Sequence, residues 1–376
     1  MPLWLSQTDE EYIKSIREFA REHIAPHAEA IDREDIYPVE IVKELARRGL
    51  STITLPPPYG DGKDFSYGVA LLEEVAYASP SVAICLITIF QAQTILRLFG
   101  QESLKELYLP QFRQGLLSSY ALTEANHGSD IRTLDTRAVR DSEGWIITGE
   151  KQFITGGVAA EFFIVLAQTN AGVSAFAVPA EVDGLSRCVG ERSATFGLRN
   201  GPHVNVTLNH VRVPEDHLIG IDGKGVRQAV TTLNYSRTLA AGVSIGIARA
   251  AFDGALKHAK ERVAFDQKVV EFQGIQWYFA DMLTKIDAAR LLVYQAARSL
   301  TTGVDTARYG SEAKLIASTL ATEVASTAVR ICGVHGVSVN SPFGRYLRDA
   351  QAYEVAGGSV EILRNTIGKY LLKDVD

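Results

Sequence analysis

The sequence has few cysteines, no excess of basic charge and no apolar run long enough to span a bilayer. Its 376 residues include three cysteines, Cys85, Cys188 and Cys332, an odd and widely spaced set that predicts neither a disulfide framework nor a zinc site. We expect all three to be buried as small apolar residues. The net charge of -6 argues against nucleic-acid binding. These absences favour a soluble globular protein without a metal centre.

The most apolar stretch, Ser81 to Phe90, has the sequence SVAICLITIF. A membrane-spanning helix needs about 20 such residues, so we expect a buried helix here and no membrane association. The N-terminal stretch MPLWLSQTDEEYIK lacks the basic start and long apolar core of a secretory signal. A cytoplasmic location is therefore the expectation.

Hydrophobic periodicity predicts three domains. Residues 1–116 carry helical patterns, including an apolar stripe from Asp9 to Ile31. Residues 117–222 carry short β-branched and aromatic runs bounded by turn residues, which predicts antiparallel strands. Residues 223–376 predict a C-terminal four-helix bundle, because apolar residues recur every three or four positions from Phe272 to Leu300. The fold class is thus α+β, mainly α. The other predicted bundle helices are Gly225 to Arg262, Gly310 to Ile331 and Gly358 to Lys373.

Two stretches of the middle domain combine strand patterns with ligand-binding chemistry. YALTEANHGSD, Tyr120 to Asp130, ends in a Gly–Ser turn, where glycine lets a ligand approach the main chain and free N–H groups can face a phosphate or a carbonyl. In GEKQFITGG, Phe153 offers an aromatic face for stacking and Thr155 offers a hydroxyl. Taken alone, these stretches are also typical of an ordinary turn and a half-buried strand.

The first stretch resembles the Y-x-x-TE-x-x-x-GSD signature of the acyl-CoA dehydrogenase family of flavoproteins. The resemblance implies an N-terminal helical domain, a middle β domain and a C-terminal bundle. It also implies FAD as the cofactor, an acyl-CoA or acyl-carrier-protein thioester as the substrate, an electron acceptor such as electron-transfer flavoprotein, and a homotetramer. Five further segments resemble the family in the same order: GEKQFITGG (149–157), GLRNGPHVNVTLNHVRVPEDHLIG (197–220), KERVAFDQKVVEFQGIQ (260–276), ICGVHG and RYLRDA.

The resemblance also implies which residues bind the ligands. Arg262, Phe265 and Gln273 would contact FAD bound mainly to a neighbouring subunit, and an arginine suits a bidentate hold on a pyrophosphate. Four positions depart from the family pattern: Asn234, Asp266, Arg330 and Val334. The implied FAD-binding residues are Tyr120, Leu122, Thr123, Gly128, Ser129, Phe153, Thr155, Arg262, Phe265, Gln273, Arg330, Gly333, Ser359 and Glu361. The implied substrate-binding residues are Ser129, Asn234, Arg237 and Gly358.

The catalytic base of the family has no counterpart at its usual positions. The family reaction removes a proton from Cα of the thioester, which needs a carboxylate, and relatives carry a glutamate at one of two positions. In this chain those positions hold Gly357 and Ser236. Glu354 is the nearest carboxylate in sequence to Gly357, and we expect the polar stretch from 351 to 364 to be a loop between two helices. We name Glu354 as the tentative base, with a helix-end surface charge as the alternative reading.

Three functions remain open from the sequence. The first is an FAD-dependent acyl-CoA dehydrogenase with a relocated base. The second is a family member of altered chemistry, of the desulfinase or elimination type or using reduced flavin and oxygen, whose substrate needs no Cα proton abstraction. The third is a flavin-binding subunit without turnover, which the intact flavin signatures disfavour. Acyl-chain length cannot be read from residue spacing.

Overall fold

The computed structural model describes residues 7–190 and 193–372, and its N-terminal part is helical. The stripe from Asp9 to Ile31, predicted as one helix, is instead interrupted by a π-helical turn, Ala20–Ile24, and a 3-10 turn, Ala25–His27. Pro26 lies in this break because proline lacks the N–H that a helix interior requires. The helices are α1 Gln7–Phe19, α2 Ala28–Glu34, α3 Val39–Arg47, α4 Phe65–Ala78, α5 Pro80–Phe99 and α6 Glu102–Phe112.

Local side chains define where α4 and α5 begin. Asp64 accepts a hydrogen bond from the backbone N–H of Ser66 at 2.8 Å, and Ser79 accepts one from that of Val82 at 3.4 Å. Pro80 occupies the first turn of α5, where a missing N–H costs nothing. Every residue from 81 to 90 is buried, so the prediction of a buried helix in this stretch is confirmed.

The middle region forms an eight-stranded sheet in which β4 is central. The order is β6-β7-β3-β2-β4-β5-β8, with β1 also paired to β4. The expectation of antiparallel strands is wrong for two pairs, since β1 and β2 both run parallel to β4. Parallel pairing depends on long crossover connections, which residue alternation does not reveal. The strands are β1 Ser118–Ala121, β2 Arg137–Arg140, β3 Trp145–Ile154, β4 Phe162–Thr169, β5 Gly172–Pro179, β6 Leu185–Val189, β7 Val204–Val213 and β8 Leu218–Ile219.

Both faces of β4 are covered, which explains its unbroken apolar sequence. Phe162 and Ile164 pack into the core shared with the helices. Phe163 and Val165 pack into a second core within the sheet region. A strand buried on both faces needs no polar alternation.

The C-terminal part is dominated by three long helices. The predicted seam along α8 is confirmed, because Met282, Ile286, Ala289, Val293 and Ala296 are all buried. The elements are α7 Gly225–Glu261, β9 Val263–Ala264, β10 Gln267–Lys268, α8 Gln273–Thr302, α9 Thr306–Cys332, α10 Val334–Val337, α11 Phe343–Val355 and α12 Val360–Leu371. The exact domain boundaries at 116/117 and 222/223 stay predictions.

A buried ion network joins the N-terminal helices to the bundle. Glu73 and Glu74 of α4 are almost fully buried. Arg249 of α7 lies 2.7 Å from Glu73 and 2.9 Å from Glu74, Arg290 of α8 also pairs with Glu73, and Arg17 of α1 lies 2.9 Å from Glu74. Removing one member would leave a buried charge unpaired, so the network fixes the position of α4 against the bundle.

The expectation that no apolar stretch is long enough to span a bilayer is wrong by length and composition alone, since three helices, α5, α7 and α9, are long and apolar enough. Their apolar windows are 78%, 78% and 50% buried inside the protein. Packing against other helices therefore covers most of the apolar surface of α5 and α7.

The cysteines only partly follow the expectation of burial. Cys85 and Cys332 are buried, whereas Cys188 is exposed on β6, an outer strand of the sheet. All three are free thiols.

Candidate functional site

The first predicted flavin segment follows β1 and is anchored by a buried ion pair. Lys151 of β3 lies 2.6 Å from Glu124 and also donates to the carbonyl of Leu122 at 3.2 Å. The same carboxylate accepts from the backbone N–H groups of Asp135 and Thr136. Burial alone would raise the pKa of Glu124, but the Lys151 charge and the hydrogen bonds outweigh burial and lower it. This pair holds the loop after β1 against β3.

Backbone contacts bring the two predicted flavin segments together. Gln152 N–H donates to the carbonyl of Thr123 at 2.9 Å, and the Ser119 hydroxyl donates to the carbonyl of Thr155 at 2.8 Å. Phe153, between them, is 45% exposed and has a positive φ of 55°, which is unusual for an aromatic residue. The structure therefore presents Phe153 and Thr155 beside the Thr123 segment.

The Gly–Ser turn of the first segment is open to solvent. Gly128 and Ser129 are exposed, and no atom lies within 4 Å of the position a Cβ would take on Gly128. The hydroxyl of Tyr120, at the other end of the segment, is fully buried and interacts with Thr232. The open Gly128 turn leaves room for contacts with a ligand.

Three potential metal ligands meet next to this segment. Oxygen and nitrogen atoms of Glu124, His127 and Asp135 lie within 4.8 Å of one another. Lys151 already neutralises Glu124 at 2.6 Å, so the geometry favours an ion pair. The prediction that the site needs no metal stays a prediction.

A second group of predicted flavin residues lies at the end of α7 and the start of α8. Arg262 ends α7, and its carbonyl accepts from the N–H of Val269 at 2.9 Å, which places it near Gln273, the first residue of α8. Phe265 is 90% exposed. Within 7–190 and 193–372, no hydrogen bond or ring contact joins Arg262, Phe265 or Gln273 to the strand segments.

The departure at Asp266 does not prevent the turn from forming. Phe265 and Asp266 adopt φ values of 51° and 63° between the paired strands β9 and β10. Two consecutive positive φ values are those of a type I′ hairpin turn, which aspartate tolerates. The glycine usual in the family is replaced without loss of the left-handed conformation.

The remaining predicted flavin residues lie at two helix boundaries. Arg330 donates to the Thr327 hydroxyl at 3.0 Å on α9, and Gly333 ends that helix with a φ of 57° and open space around it. Ser359 precedes α12. Hydrogen bonds from its own backbone and from Ser359 lower the pKa of Glu361. All four are accessible or half-buried at turns.

The two family base positions lie in different surroundings. Gly357 is exposed, has a φ of 71° and has no atom within 4 Å of its Cβ position. Ser236 is buried on α7, where its hydroxyl accepts from Gln91 at 3.3 Å and donates to the carbonyl of Leu233. Neither provides a carboxylate.

Glu354 lies on the last turn of α11, which corrects the expectation of a loop from 351 to 364. Only residues 356–359 are non-helical. Glu354 is half-buried, and its negative charge raises the pKa of Lys314. Glu354 thus lies within electrostatic range of a buried lysine on α9.

Three of the four predicted substrate residues, Asn234, Arg237 and Gly358, come together with a lysine that sequence reasoning missed, whereas Ser129 lies in the exposed Gly–Ser turn. Arg237 is 6% exposed and donates to Asn234 at 3.2 Å. Its guanidinium Nη2 lies 3.2 Å from the position a Cβ would take on Gly358. Lys314 of α9 is fully buried and donates to the carbonyl of Gly358 at 2.5 Å. Burial, reinforced by the charge of Arg237, lowers the pKa of Lys314 to about 7.

One known protein family matches all three parts of the chain. The N-terminal, middle and C-terminal domain models of acyl-CoA dehydrogenases match residues 6–115, 119–211 and 223–372. An acyl-CoA dehydrogenase of Bacillus subtilis (strain 168) is 36% identical over 367 residues, 96% of this chain and 96% of its own. The chain belongs to the acyl-CoA dehydrogenase family. The resemblance and the fold class predicted from the sequence are confirmed.

Two solved structures have the same fold as this acyl-CoA dehydrogenase family member. Butyryl-CoA dehydrogenase from Megasphaera elsdenii has a TM-score of 0.95 and 31% identity, and the match covers 99% of this chain and 100% of that one. A chain in a structure described as the electron transferring flavoprotein of Acidaminococcus fermentans has a TM-score of 0.95 and 30% identity, with 100% of both chains covered. The protein is an FAD-dependent oxidoreductase of the type that acts on CH–CH groups.

FAD fits the residues that the acyl-CoA dehydrogenase fold places after β1 and at the end of β3. Phe153 is an exposed aromatic ring with a positive φ, and Gly128 has free space around it; a bound group accounts for both features. Thr123 and Thr155 would contact the same group. When bound, FAD supplies the acceptor for a hydride.

The sequence carried weak signals for the residues that were missed. Lys314 interrupts a run of small residues that includes Gly310, Ala317 and Ala321, where a charged side chain is out of place on a buried helix face. Glu124 stands inside the quoted TE motif of the acyl-CoA dehydrogenase family, but its partner Lys151 could not be identified without the strand register. Gln91 had no signal in the sequence.

Proposed function

We propose that this protein oxidises an acyl thioester at its Cα–Cβ bond, with FAD as the hydride acceptor. Two features together carry the proposal: a predicted flavin segment that is anchored by an ion pair, and a buried cationic cluster beside Gly358. In the first, Lys151 and Glu124 hold the loop after β1 against β3. In the second, Arg237 lies against Gly358, where the resemblance places the thioester.

Glu354 is the proposed base for removing the Cα proton. It is half-buried, lies one turn before Gly357 and interacts electrostatically with Lys314. Ser236 is engaged as acceptor and donor by Gln91 and Leu233, and a hydroxyl is a weak base without a partner. Glu354 is therefore the carboxylate that the geometry supports.

A second candidate function follows from Gly357 and Ser236. With no carboxylate at either family position, the substrate could need no Cα proton abstraction. Such a substrate would lose a leaving group of its own, or the reaction would use reduced flavin and oxygen. An acyl-carrier-protein thioester is a further candidate, since Asn234 replaces a frequent aspartate.

We also propose a homotetramer, a cytoplasmic location and an electron-transfer flavoprotein as the electron acceptor. The apolar surface on the outer side of the bundle supports subunit assembly, because Phe265, Trp277, Leu283, Leu291 and Val334 are 48–90% exposed. A chain with this fold occurs in a structure described as the electron transferring flavoprotein of Acidaminococcus fermentans. This supports an electron-transfer flavoprotein as the class of partner.

The test is anaerobic titration of the purified holoenzyme with a panel of saturated acyl-CoAs. Loss of the oxidised-flavin absorbance together with a 2-enoyl product would establish the reaction. Glu354→Gln should then reduce the rate of flavin reduction by at least about a hundredfold, in line with the contribution of a general base. A flavin that stays oxidised with every thioester would favour the second candidate function.

A further inference from the structure

We propose that the acyl thioester taken by this enzyme carries a carboxylate close to its reacting carbons, and that Arg237 binds this carboxylate beside Gly357. The inference rests on the proposed function and names the substrate class of that same site.

Arg237 is a buried cation with an incomplete set of partners. It is 6% exposed, its Nε is buried without a hydrogen-bond partner, and Asn234 is the acceptor of its one hydrogen bond. A guanidinium has five N–H donors in a planar fork. Burying such a group without acceptors is unfavourable, so the arrangement indicates an acceptor supplied by a ligand.

No carboxylate of the described residues neutralises Arg237. None within 7–190 and 193–372 lies within 4 Å of Arg237 or of Lys314, which lies on the other side of Gly358 and is fully buried. Glu354 interacts electrostatically with Lys314 but at a longer distance. Burial lowers the pKa of Arg237, as it does for Lys314. The cluster has an excess of positive charge that an anion would offset.

The space for that anion is beside Arg237. Gly357 is exposed with no atom within 4 Å of its Cβ position, and the Arg237 guanidinium lies 3.2 Å from the Cβ position of Gly358. A glutamate side chain at 357 would begin more than 4 Å from Arg237 and is long enough to bring a carboxylate toward it, and the chain offers none there. A planar carboxylate on the substrate matches the fork of an arginine better than a single point charge does.

A second source of an anion for Arg237 is the carrier end of the thioester, where the phosphates of CoA also offer anionic oxygens. The two sources are distinguished with matched ligands. Succinyl-CoA and butyryl-CoA both have four-carbon acyl chains and the same CoA. The acyl chain ends in a carboxylate in succinyl-CoA and in a methyl group in butyryl-CoA. A CoA contact would affect both equally.

The experiment is isothermal titration of the holoenzyme with succinyl-CoA and butyryl-CoA under anaerobic conditions. We expect succinyl-CoA to bind at least tenfold tighter, since hydrogen bonds to charged groups are the strong ones. Arg237→Gln should remove the preference. Arg308→Gln, a change on α9 at an arginine paired with Glu312, should keep it. Equal affinities in the unchanged protein, or a preference that survives Arg237→Gln, would overturn the inference.

A second variant tests the inference with Arg237 left in place. Gly357→Glu supplies a carboxylate to the same space, so it should abolish the preference for succinyl-CoA. Gly357→Gln adds no charge and should leave most of that preference. If Gly357→Glu binds succinyl-CoA with the original preference, the carboxylate does not occupy this space. Oxidation of butyryl-CoA without any preference would leave the proposed function standing and remove only this inference. Failure of both ligands to bind would count against both.

Discussion

The Lys151 ammonium lies 2.6 Å from the Glu124 carboxylate, and both side chains are almost completely buried. This ion pair joins the two sequence segments that carry the flavin signatures. Glu124 belongs to the loop after β1, and Lys151 lies two residues before Phe153. The position of the exposed Phe153 ring therefore depends on a contact between two buried charged residues.

Replacing Lys151 by methionine should destabilise the protein and reduce its FAD content. The change leaves the Glu124 carboxylate buried without its partner, which typically costs about 3–5 kcal/mol. We expect a lower thermal midpoint and a lower ratio of flavin to protein absorbance, both measured on the purified protein.

The matched control removes both charges. Glu124→Gln combined with Lys151→Met should recover part of the lost thermal stability, because no isolated charge remains buried. A single Lys151→Met variant with unchanged midpoint and full FAD content would show that the pair has no part in holding the segment.

Replacing Arg262 by alanine should lower FAD occupancy. Arg262 is exposed at the end of α7, so its removal leaves no buried charge and should change folding little. Loss of charge-assisted hydrogen bonds of about 1.5–3 kcal/mol predicts weaker FAD binding by roughly tenfold to a hundredfold. The measurement is FAD release on dilution, followed by fluorescence. Arg33→Ala, at an exposed arginine of α2 that pairs with Glu29 and Glu34, is the control. An Arg262→Ala protein that keeps its full FAD content would contradict the assignment.

The sequence predicted best those parts of the fold and site whose residues are close together along the chain. Phe153 lies near the C-terminal end of β3 and Thr155 directly follows that strand, and their proximity to Thr123 was expected from the matched motifs. The seam of α8 followed from helical periodicity because Ile286 and Val293 are two turns apart on one face.

Long-range contacts were beyond the reach of the sequence. The parallel pairing of β1 with β4 depends on the path of the loops between them. Lys314 meets Gly358 across 44 residues, and no local pattern predicts that a lysine donates to that carbonyl. The buried Arg237 Nε has no hydrogen-bond partner, and this depends on side chains from distant parts of the sequence.

Replacing Asp349 by asparagine should change how stability depends on pH. Asp349 is fully buried and accepts from the N–H of Leu198 at 2.6 Å, whereas Arg348 pairs with Asp32 at 2.6 Å. Burial raises the pKa of Asp349 from 3.8 to about 7. The folded protein then binds more protons than the unfolded chain between these values, so this stabilisation is fully present below about pH 4 and is lost as the pH rises through 7.

The asparagine keeps the acceptor for Leu198 and removes the titration. We expect its thermal midpoint to fall less than that of the unchanged protein between pH 4.5 and pH 7, by at least a few degrees, since each pKa unit corresponds to about 1.4 kcal/mol. Thermal unfolding followed by circular dichroism at each pH is the measurement. Parallel pH profiles for the two proteins would show that Asp349 does not titrate in this range.

Placing glutamate at Gly357 should supply a carboxylate at the base position that is usual in the family. The Cβ position is open, but the φ of 71° lies in a region that costs a glutamate roughly 1–2 kcal/mol. Folding should therefore survive with a small loss. We expect faster flavin reduction by a saturated acyl-CoA than in the unchanged protein, because a positioned carboxylate contributes about 10²–10⁴-fold to proton abstraction. Gly357→Gln carries the same backbone strain without the base and should show no gain. Rapid-mixing absorbance measurements under anaerobic conditions compare the three proteins. If glutamate and glutamine variants reduce their flavin equally slowly, proton abstraction from this position is not what limits the reaction, and the search for the base returns to Glu354.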